Sequence, residues 1–126
     1  MKSLLVFLLI IPTAFLSAQR SWIRINSLGY KPGSIKVAVF CSKDDVIPRS
    51  FSLVDERSGE AVFKSRTLKH SGPYGPFRST FRLDFTSMAR PGRYFIDADG
   101  VISPVFTIGD DVYAGTADFC LQYMRQ

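Results

Sequence analysis

The stretch STFRLDF, residues 79–85, shows the pattern that decides the fold. Its apolar residues Phe81, Leu83 and Phe85 alternate with polar ones. Because successive side chains of a strand point to opposite faces, a period of two predicts a strand with one buried and one exposed face. Residues 51–53 and 102–108 alternate in the same way. Strands of this kind are typical of antiparallel sheets that cover a core on one side.

Turn-forming pairs separate such stretches along most of the chain. Pro-Gly, Ser-Gly or Asp-Gly pairs stand at 32–33, 58–59, 91–92 and 99–100, and these residues favour tight turns. The pattern predicts strands at residues 22–25, 35–41, 50–55, 61–64, 79–85, 94–97 and 102–108. About seven short strands in one small domain indicate an all-β, immunoglobulin-like β-sandwich.

Tyr94 directly follows one of these turns, in the sequence ARPGRY at residues 89–94. A tyrosine at the start of a strand in such a sandwich can hydrogen-bond back to the backbone that precedes it. We therefore predict a tyrosine corner at Tyr94.

The first 18 residues have the composition of a secretory signal peptide. Lys2 precedes an apolar run at residues 4–16, and small residues lead to Ala18. The run contains Pro12 and is shorter than the roughly 20 residues that span a bilayer. We expect cleavage after Ala18, export to the periplasm or the extracellular space, and no membrane attachment after cleavage.

The last residues, 113–126, predict an amphipathic helix. We expect Asp110 and Asp111 to lie at its N-cap, where acids are favoured. A helix this short is marginal in water without packing, so we expect the linker near Gly109 and the residues after Gly115 to be mobile, and deletion of 112–126 to have little effect on stability. The apolar side of the helix is predicted to contain Val112, Thr116, Phe119, Cys120 and Tyr123.

The charge pattern argues against nucleic-acid binding. The chain has 16 Lys and Arg against 11 Asp and Glu, a formal charge of +5. The basic residues are spread along the chain without an arginine-rich arm or a recognition helix. A solvated basic surface is the simpler interpretation.

Residues of the types that enzymes and metal sites need are present, but not in the required patterns. The acidic pairs 44–45, 97 and 99, and 110–111 are most simply loop, turn and helix-cap residues. The single histidine, His70, has no ligand partner at metal-binding spacing. We assign no catalytic residue, no cofactor-binding residue and no metal ligand.

Cys41 and Cys120 are the only two cysteines. Export would permit a disulfide between them. Cys41 ends an apolar strand and Cys120 lies on the apolar side of the predicted helix, so two separately buried thiols are equally compatible with the sequence.

Several segments together resemble a known family. Residues 26–32, NSLGYKP, followed by KVAV at 36–39, are similar to the "N-x-x-G-Y-x-P … K-x-A" start of the N-terminal immunoglobulin-like domain of glycoside hydrolase family nine, the cellulase family. Further segments match in the same order: FSLVD at 51–55, SGE at 58–60, LDFT at 83–86, PGRY at 91–94 and SPVFTI at 103–108.

The resemblance implies a division of the chain. Residues 1–18 would be the signal peptide, 19–109 the sandwich, and 110–126 the start of a catalytic (α/α)6 barrel in the same polypeptide. The catalytic aspartate pair and glutamate of the family belong to that barrel. No residue of this chain matches them.

The resemblance also implies an accessory role, support of the barrel in an endo-β-1,4-glucanase-like enzyme. The loop at residues 71–77 is a candidate contact surface. Its aromatic residues Tyr74 and Phe77 would either reach outward, to the barrel or to β-glucan, or cap the core of the sandwich itself.

Two other functional classes share this fold. A free-standing carbohydrate-binding module would stack sugar rings on Trp22, Tyr30, Tyr74 or Phe77, although Trp22 and Tyr30 occupy positions that a core would also use. A structural or adhesion module is equally compatible with a β-sandwich.

Overall fold

The computed structural model describes residues 18–125, so all of the proposed signal peptide except Ala18 lies outside the described residues. Within that range, no helix is both long and apolar enough to cross a membrane. The described elements are β1 Ser21–Arg24, β2 Val37–Ser42, β3 Phe51–Asp55, β4 Ala61–Ser65, β5 Leu68–His70, β6 Ser79–Asp84, β7 Gly92–Ala98, β8 Val101–Ile102, β9 Phe106–Ile108 and α1 Thr116–Met124.

The strands form two antiparallel sheets. One sheet has the order β1-β2-β6-β5, and the other has the order β4-β3-β7-β8 with β9 also paired to β7. The chain changes sheet between β2 and β3, between β4 and β5, and between β6 and β7. These orders are those of an immunoglobulin sandwich, with β4 added at one edge. The predicted immunoglobulin-like fold is confirmed.

Alternate residues of the facing strands fill the space between the sheets. Phe40, Phe81 and Leu83 come from one sheet, and Leu53 and Ile96 come from the other. All five are 5% exposed or less. Their cross-strand pairs, such as Phe40 with Phe81 and Leu53 with Ile96, place large apolar side chains opposite one another, which stabilises sheets.

Residues 18–125 form nine strands where the sequence predicted about seven. The strand β5 was missed because Leu68 is its only apolar residue, while Lys69 and His70 are exposed. The predicted single strand at 102–108 is divided at Ser103 and Pro104. Proline has no N–H to donate to a ladder, and the Ser103 hydroxyl instead accepts a hydrogen bond from the Ile96 N–H at 2.8 Å.

Tyr94 is fully buried at the start of β7. Its hydroxyl donates to the carbonyl oxygen of Arg90 at 3.1 Å and lies 3.3 Å from that of Pro91. Burial raises the pKa of this phenol. The side chain therefore ties the turn before β7 to the core.

Candidate functional site

The loop after β1, residues 26–31, is called the junction loop here because the end of the sandwich packs against it. The Asn26 side-chain oxygen accepts from the Leu28 N–H at 3.0 Å, and the Asn26 carbonyl accepts from the Gly29 N–H at 3.0 Å. These bonds close a tight turn that places Gly29 at φ +99°, a conformation that glycine adopts without steric cost.

Tyr30 holds the junction loop to the core. Its ring is buried, with edge-to-face contacts to Phe85 and Phe106. Its hydroxyl accepts from the Asn26 N–H at 2.9 Å and donates to the Val37 carbonyl at 3.0 Å. Burial raises the pKa of this phenol. Tyr30 therefore occupies the core position that the sequence allowed for it and is not available to stack on a sugar.

A buried lysine stabilises the turn that follows the junction loop. Lys36 has no solvent exposure, and its ammonium group donates to the carbonyl oxygens of Pro32 at 2.6 Å and Ser34 at 2.8 Å. Burial lowers the pKa of Lys36. A buried charge is tolerated when hydrogen bonds satisfy it, so the lysine of the K-x-A motif has a structural explanation.

The exit segment, residues 109–115, leaves the sandwich across the junction loop. The Tyr30 N–H donates to the Thr107 carbonyl at 2.9 Å, and the Gly109 N–H donates back to the Tyr30 carbonyl at 3.0 Å. A β-carbon on Gly29 would lie 2.5 Å from the Thr107 carbonyl oxygen and 2.9 Å from a Val112 methyl group. Only glycine permits this close approach.

Tyr113 extends these contacts along the exit segment. Its hydroxyl donates to the Gly29 carbonyl and accepts from the Asn26 amide, both at 3.3 Å. The Lys31 ammonium lies 5.9 Å from the centre of its ring, which is within cation–π range. The contacts argue for a fixed backbone as far as Tyr113, and not for the mobile linker that the sequence suggested near Gly109.

The helix α1 differs from the segment before it, because none of its residues is buried. It begins after Gly115, which has φ +75° and no side-chain cap. The expectation that Asp110 and Asp111 cap the helix is wrong, since both precede its first residue by several positions. Its exposed apolar side chains are Phe119, Leu121, Tyr123 and Met124, each more than half exposed.

The loop at 71–77 closes with a tight turn. The backbones of Tyr74 and Phe77 exchange two hydrogen bonds of 3.0 Å across Gly75 and Pro76. Tyr74 is 79% exposed. Phe77 is half-buried, with its ring 5.8 Å from that of Trp22 in an edge-to-face contact. Neither Tyr74 nor Phe77 belongs to the core cluster.

Trp22 lies on the outer face of its sheet, where it pairs with Cys41 in β2. It is half-buried rather than part of the core that was one expectation from the sequence. The Lys43 ammonium lies 5.6 Å from the centre of the indole.

The loop at 71–77 and the outer face of the sheet β1-β2-β6-β5 form a groove of about 720 Å³, called the outer groove. Its lining residues are Arg24, Val37, Val39, Cys41, Ser71, Pro73, Tyr74, Phe77, Thr80 and Arg82.

The two cysteines are free. Cys41 is buried beneath the outer groove, where burial raises the pKa of its thiol. Cys120 is exposed on α1. The interpretation as two separately buried thiols is therefore correct for Cys41 only.

Acidic residues of the pairs 44–45 and 97 and 99 have structural partners. Asp44 forms an ion pair with Arg20 at 2.8 Å. Asp97 accepts from the Gly100 N–H at 2.9 Å, and Asp99 accepts from the Arg49 N–H. Across residues 18–125, no group of three or more His, Cys, Asp or Glu side chains is placed to hold a metal ion.

Sequence reasoning missed two parts of this region. The contact of Val112 and Tyr113 with the junction loop joins residues about 85 positions apart, which no local pattern reports. Arg24 and Arg82 were treated as scattered charges. Their positions in the alternating pattern of β1 and β6 could have placed both on the outer face.

Comparisons with known proteins agree with this architecture. Residues 18–103 match the family described as the cellulase N-terminal ig-like domain. A xyloglucan-specific endo-beta-1,4-glucanase of Bacteroides ovatus, BoGH9A, is 34% identical over 100 residues, which are 79% of this chain and 16% of that protein.

Two solved structures extend the comparison. A structure described as Bacteroides ovatus GH9 has a TM-score of 0.69 and 32% identity, over 80% of this chain and 18% of that one. A metagenome-derived glycoside hydrolase family 9 endoglucanase has a TM-score of 0.62 and 28% identity, over 74% of this chain and 18% of that one. The chain thus spans less than one fifth of the length of the relatives it matches. From its fold and from the family match over residues 18–103, this chain belongs to the cellulase N-terminal ig-like domains.

Proposed function

We propose that the chain is the accessory domain of a family-nine glycoside hydrolase and positions a catalytic (α/α)6 barrel in the same polypeptide. The observation that carries this proposal is the contrast between the exit segment and α1. The sandwich binds the exit segment through Gly29, Tyr30 and Tyr113, yet it buries no residue of the helix that follows.

An amphipathic helix with exposed aromatic and aliphatic side chains is stabilised mainly by packing against a partner. Phe119, Tyr123 and Met124 are each more than 70% exposed. In the proposed enzyme these side chains pack inside the barrel, and the exit segment fixes the direction in which the chain enters it. The substrate of that enzyme is proposed to be a β-1,4-glucan, because the relatives are described as endoglucanases.

The DNA beyond codon 126 gives the most direct test of this proposal. We expect it to encode an (α/α)6 barrel with the aspartate pair and distant glutamate of the family. In an enzyme that contains both parts, deletion of residues 19–109 is expected to lower the thermal midpoint of the barrel by several degrees. An unrelated downstream sequence, or a barrel with an unchanged midpoint, would contradict the accessory role.

The chain alone is proposed to lack glycosidase activity. Glycoside cleavage by the usual mechanism needs two carboxyl groups facing one bond. Asp44 is instead paired with Arg20, Asp97 accepts from the Gly100 N–H and Asp99 accepts from the Arg49 N–H. We expect no hydrolysis of carboxymethylcellulose or cello-oligosaccharides above buffer. Turnover that is lost in Asp44→Ala, Asp97→Ala or Asp111→Ala would show which acid we have misjudged.

We also propose that the protein is exported and loses residues 1–18. The support is the composition of that segment and the start of the family match at residue 18. The intact mass of the mature protein tests this proposal. A mass that includes residues 1–18 would refute it.

A further inference from the structure

The outer face of the sheet β1-β2-β6-β5 contains a row of basic side chains. Arg24 pairs with Val39, Val39 pairs with Arg82, and Arg82 pairs with Lys69. Cross-strand partners lie side by side on the same face, so three cations and one valine cross the sheet in a line. Arg24 and Arg82 are two strands apart, with their backbones about 10 Å apart.

The two arginines of this row line the outer groove, and within residues 18–125 neither forms a salt bridge. The ion pairs of the described residues involve Arg20, Arg78 and Arg93 instead. No Asp or Glu is among the described residues that line the groove. Asp84, two positions beyond Arg82 on the same face, accepts from the Thr86 N–H at 2.9 Å. The Arg82 charge also helps to lower the pKa of the Asp84 carboxyl, so Asp84 offsets part of the positive charge. Two arginines above an apolar floor still leave the groove with net positive charge, which favours an anionic ligand.

The exposed ring of Tyr74 beside the groove indicates which class of anionic ligand the groove binds. Tyr74 is presented on a turn whose two cross-turn hydrogen bonds fix its backbone, and its ring remains 79% exposed. An exposed phenol ring offers a flat apolar face with a polar edge. Such a face fits the C–H face of a sugar ring better than it fits an extended acidic peptide, which has few flat apolar faces.

We propose that the outer groove binds an acidic oligosaccharide, that is, a glycan containing uronic acid residues. Tyr74 stacks on a sugar ring, and Arg24 and Arg82 bind two carboxylates along the glycan by bidentate hydrogen bonds. A volume of about 720 Å³ is in the range of small-ligand sites. The site is independent of the accessory role, because it uses no residue of the junction loop or the exit segment.

A titration of the purified chain with trigalacturonate, followed by backbone amide shifts, tests the proposal. Cellotriose serves as the neutral sugar and hexaglutamate as the anion without sugar rings. We expect trigalacturonate to bind at least about tenfold more tightly than either control, with the largest shifts at Val39, Cys41 and Arg82. Equal binding of hexaglutamate, or shifts on another face, would overturn it.

Matched variants separate the site from general charge attraction. We expect R24Q/R82Q to weaken trigalacturonate binding at least about tenfold, and Y74A to do the same, while Y74F retains binding. R49Q/R57Q removes the same charge from exposed positions outside the groove and should leave the affinity within about twofold. Equal losses in the two double variants, or a loss in Y74F as large as in Y74A, would overturn the proposal.

Discussion

The exit segment and helix α1 follow one another in the chain, but only the exit segment packs against the sandwich. The exit segment is held by backbone bonds at Gly109 and by side-chain contacts at Val112 and Tyr113. The helix directly after it has regular hydrogen bonding and no buried residue. Regular secondary structure and attachment to a domain are thus separate properties, because tertiary packing supplies most of the stability of a short helix.

The largest effect is expected at the point where the exit segment crosses the junction loop. Gly29→Ala would place a β-carbon 2.5 Å from the Thr107 carbonyl oxygen at a backbone φ of +99°. We expect the free energy of unfolding to fall by about 3 kcal/mol or more, because strain and steric clash add. Urea denaturation measures the change.

Gly59→Ala is the matched control for that prediction. Gly59 also has a positive φ, +72°, but a β-carbon there meets no atom within 4 Å. Its cost should be about 1–2 kcal/mol, from backbone conformation alone. Equal costs at the two positions would show that the close approach at Gly29 contributes nothing.

Two truncations compare the exit segment with the helix directly. Removal of residues 110–126 deletes the Val112 and Tyr113 contacts, and we expect a loss of about 1–2 kcal/mol. Removal of 116–126 deletes the helix α1, which has no buried residue, and the free energy of unfolding should change by less than about 0.5 kcal/mol. Thermal or urea unfolding measures the stability of both truncated chains. Equal free energies of unfolding for the two would contradict the difference between the exit segment and the helix. This prediction replaces the expectation that all of 112–126 is dispensable.

Low pH should lower the stability of the sandwich whether or not helix α1 is present. Hydrogen bonds from the Ser58 and Arg57 backbones lower the pKa of Asp55, and bonds from Thr86 lower that of Asp84. Since their folded pKa values lie below the ordinary value of 3.8, their stabilisation is complete above that pH and is lost as the pH falls below it. Thermal midpoints from pH 6 to about pH 2 should fall less in Asp55→Asn. An unchanged pH dependence in that variant would refute this role for Asp55.

The smallest effect is expected on the surface of α1. Phe119 and Tyr123 are 72% and 74% exposed, so F119S/Y123S should change the free energy of unfolding of the sandwich by less than about 0.5 kcal/mol. Urea denaturation followed by the fluorescence of Trp22 reports on the sandwich alone. A loss above 1 kcal/mol would mean that the helix packs on this domain in solution.

The sequence predicted the parts of the molecule that depend on local patterns. Period-two alternation located strands such as β6, and the Asp99-Gly100 pair marked the turn between β7 and β8, where both residues have positive φ. It failed where distant residues decide the structure. Leu68 forms a strand only because β6 lies beside it, and Ser103 interrupts a strand because its hydroxyl bonds to Ile96.

The candidate sites also divide into features that local patterns indicate and features that depend on distant residues. Tyr74 was singled out from its loop composition, since an aromatic residue among turn formers has few buried places to go. The roles of Tyr113 and Arg82 depend on partners at Gly29 and Arg24, more than 50 residues earlier. The spacing of residues along the chain contains no record of such pairings.

Amide hydrogen exchange of the purified chain tests most directly the claim that the sandwich binds the exit segment and leaves the helix unsupported. The amides of Tyr30 and Gly109 should exchange as slowly as those of β6, because they bond to the Thr107 and Tyr30 carbonyls in the packed junction. The amides from Phe119 to Met124 should exchange about 100-fold faster or more, since local opening of the helix exposes no core. Protection of those helix amides equal to that of β6, or exchange at Gly109 as fast as in the helix, would contradict the account.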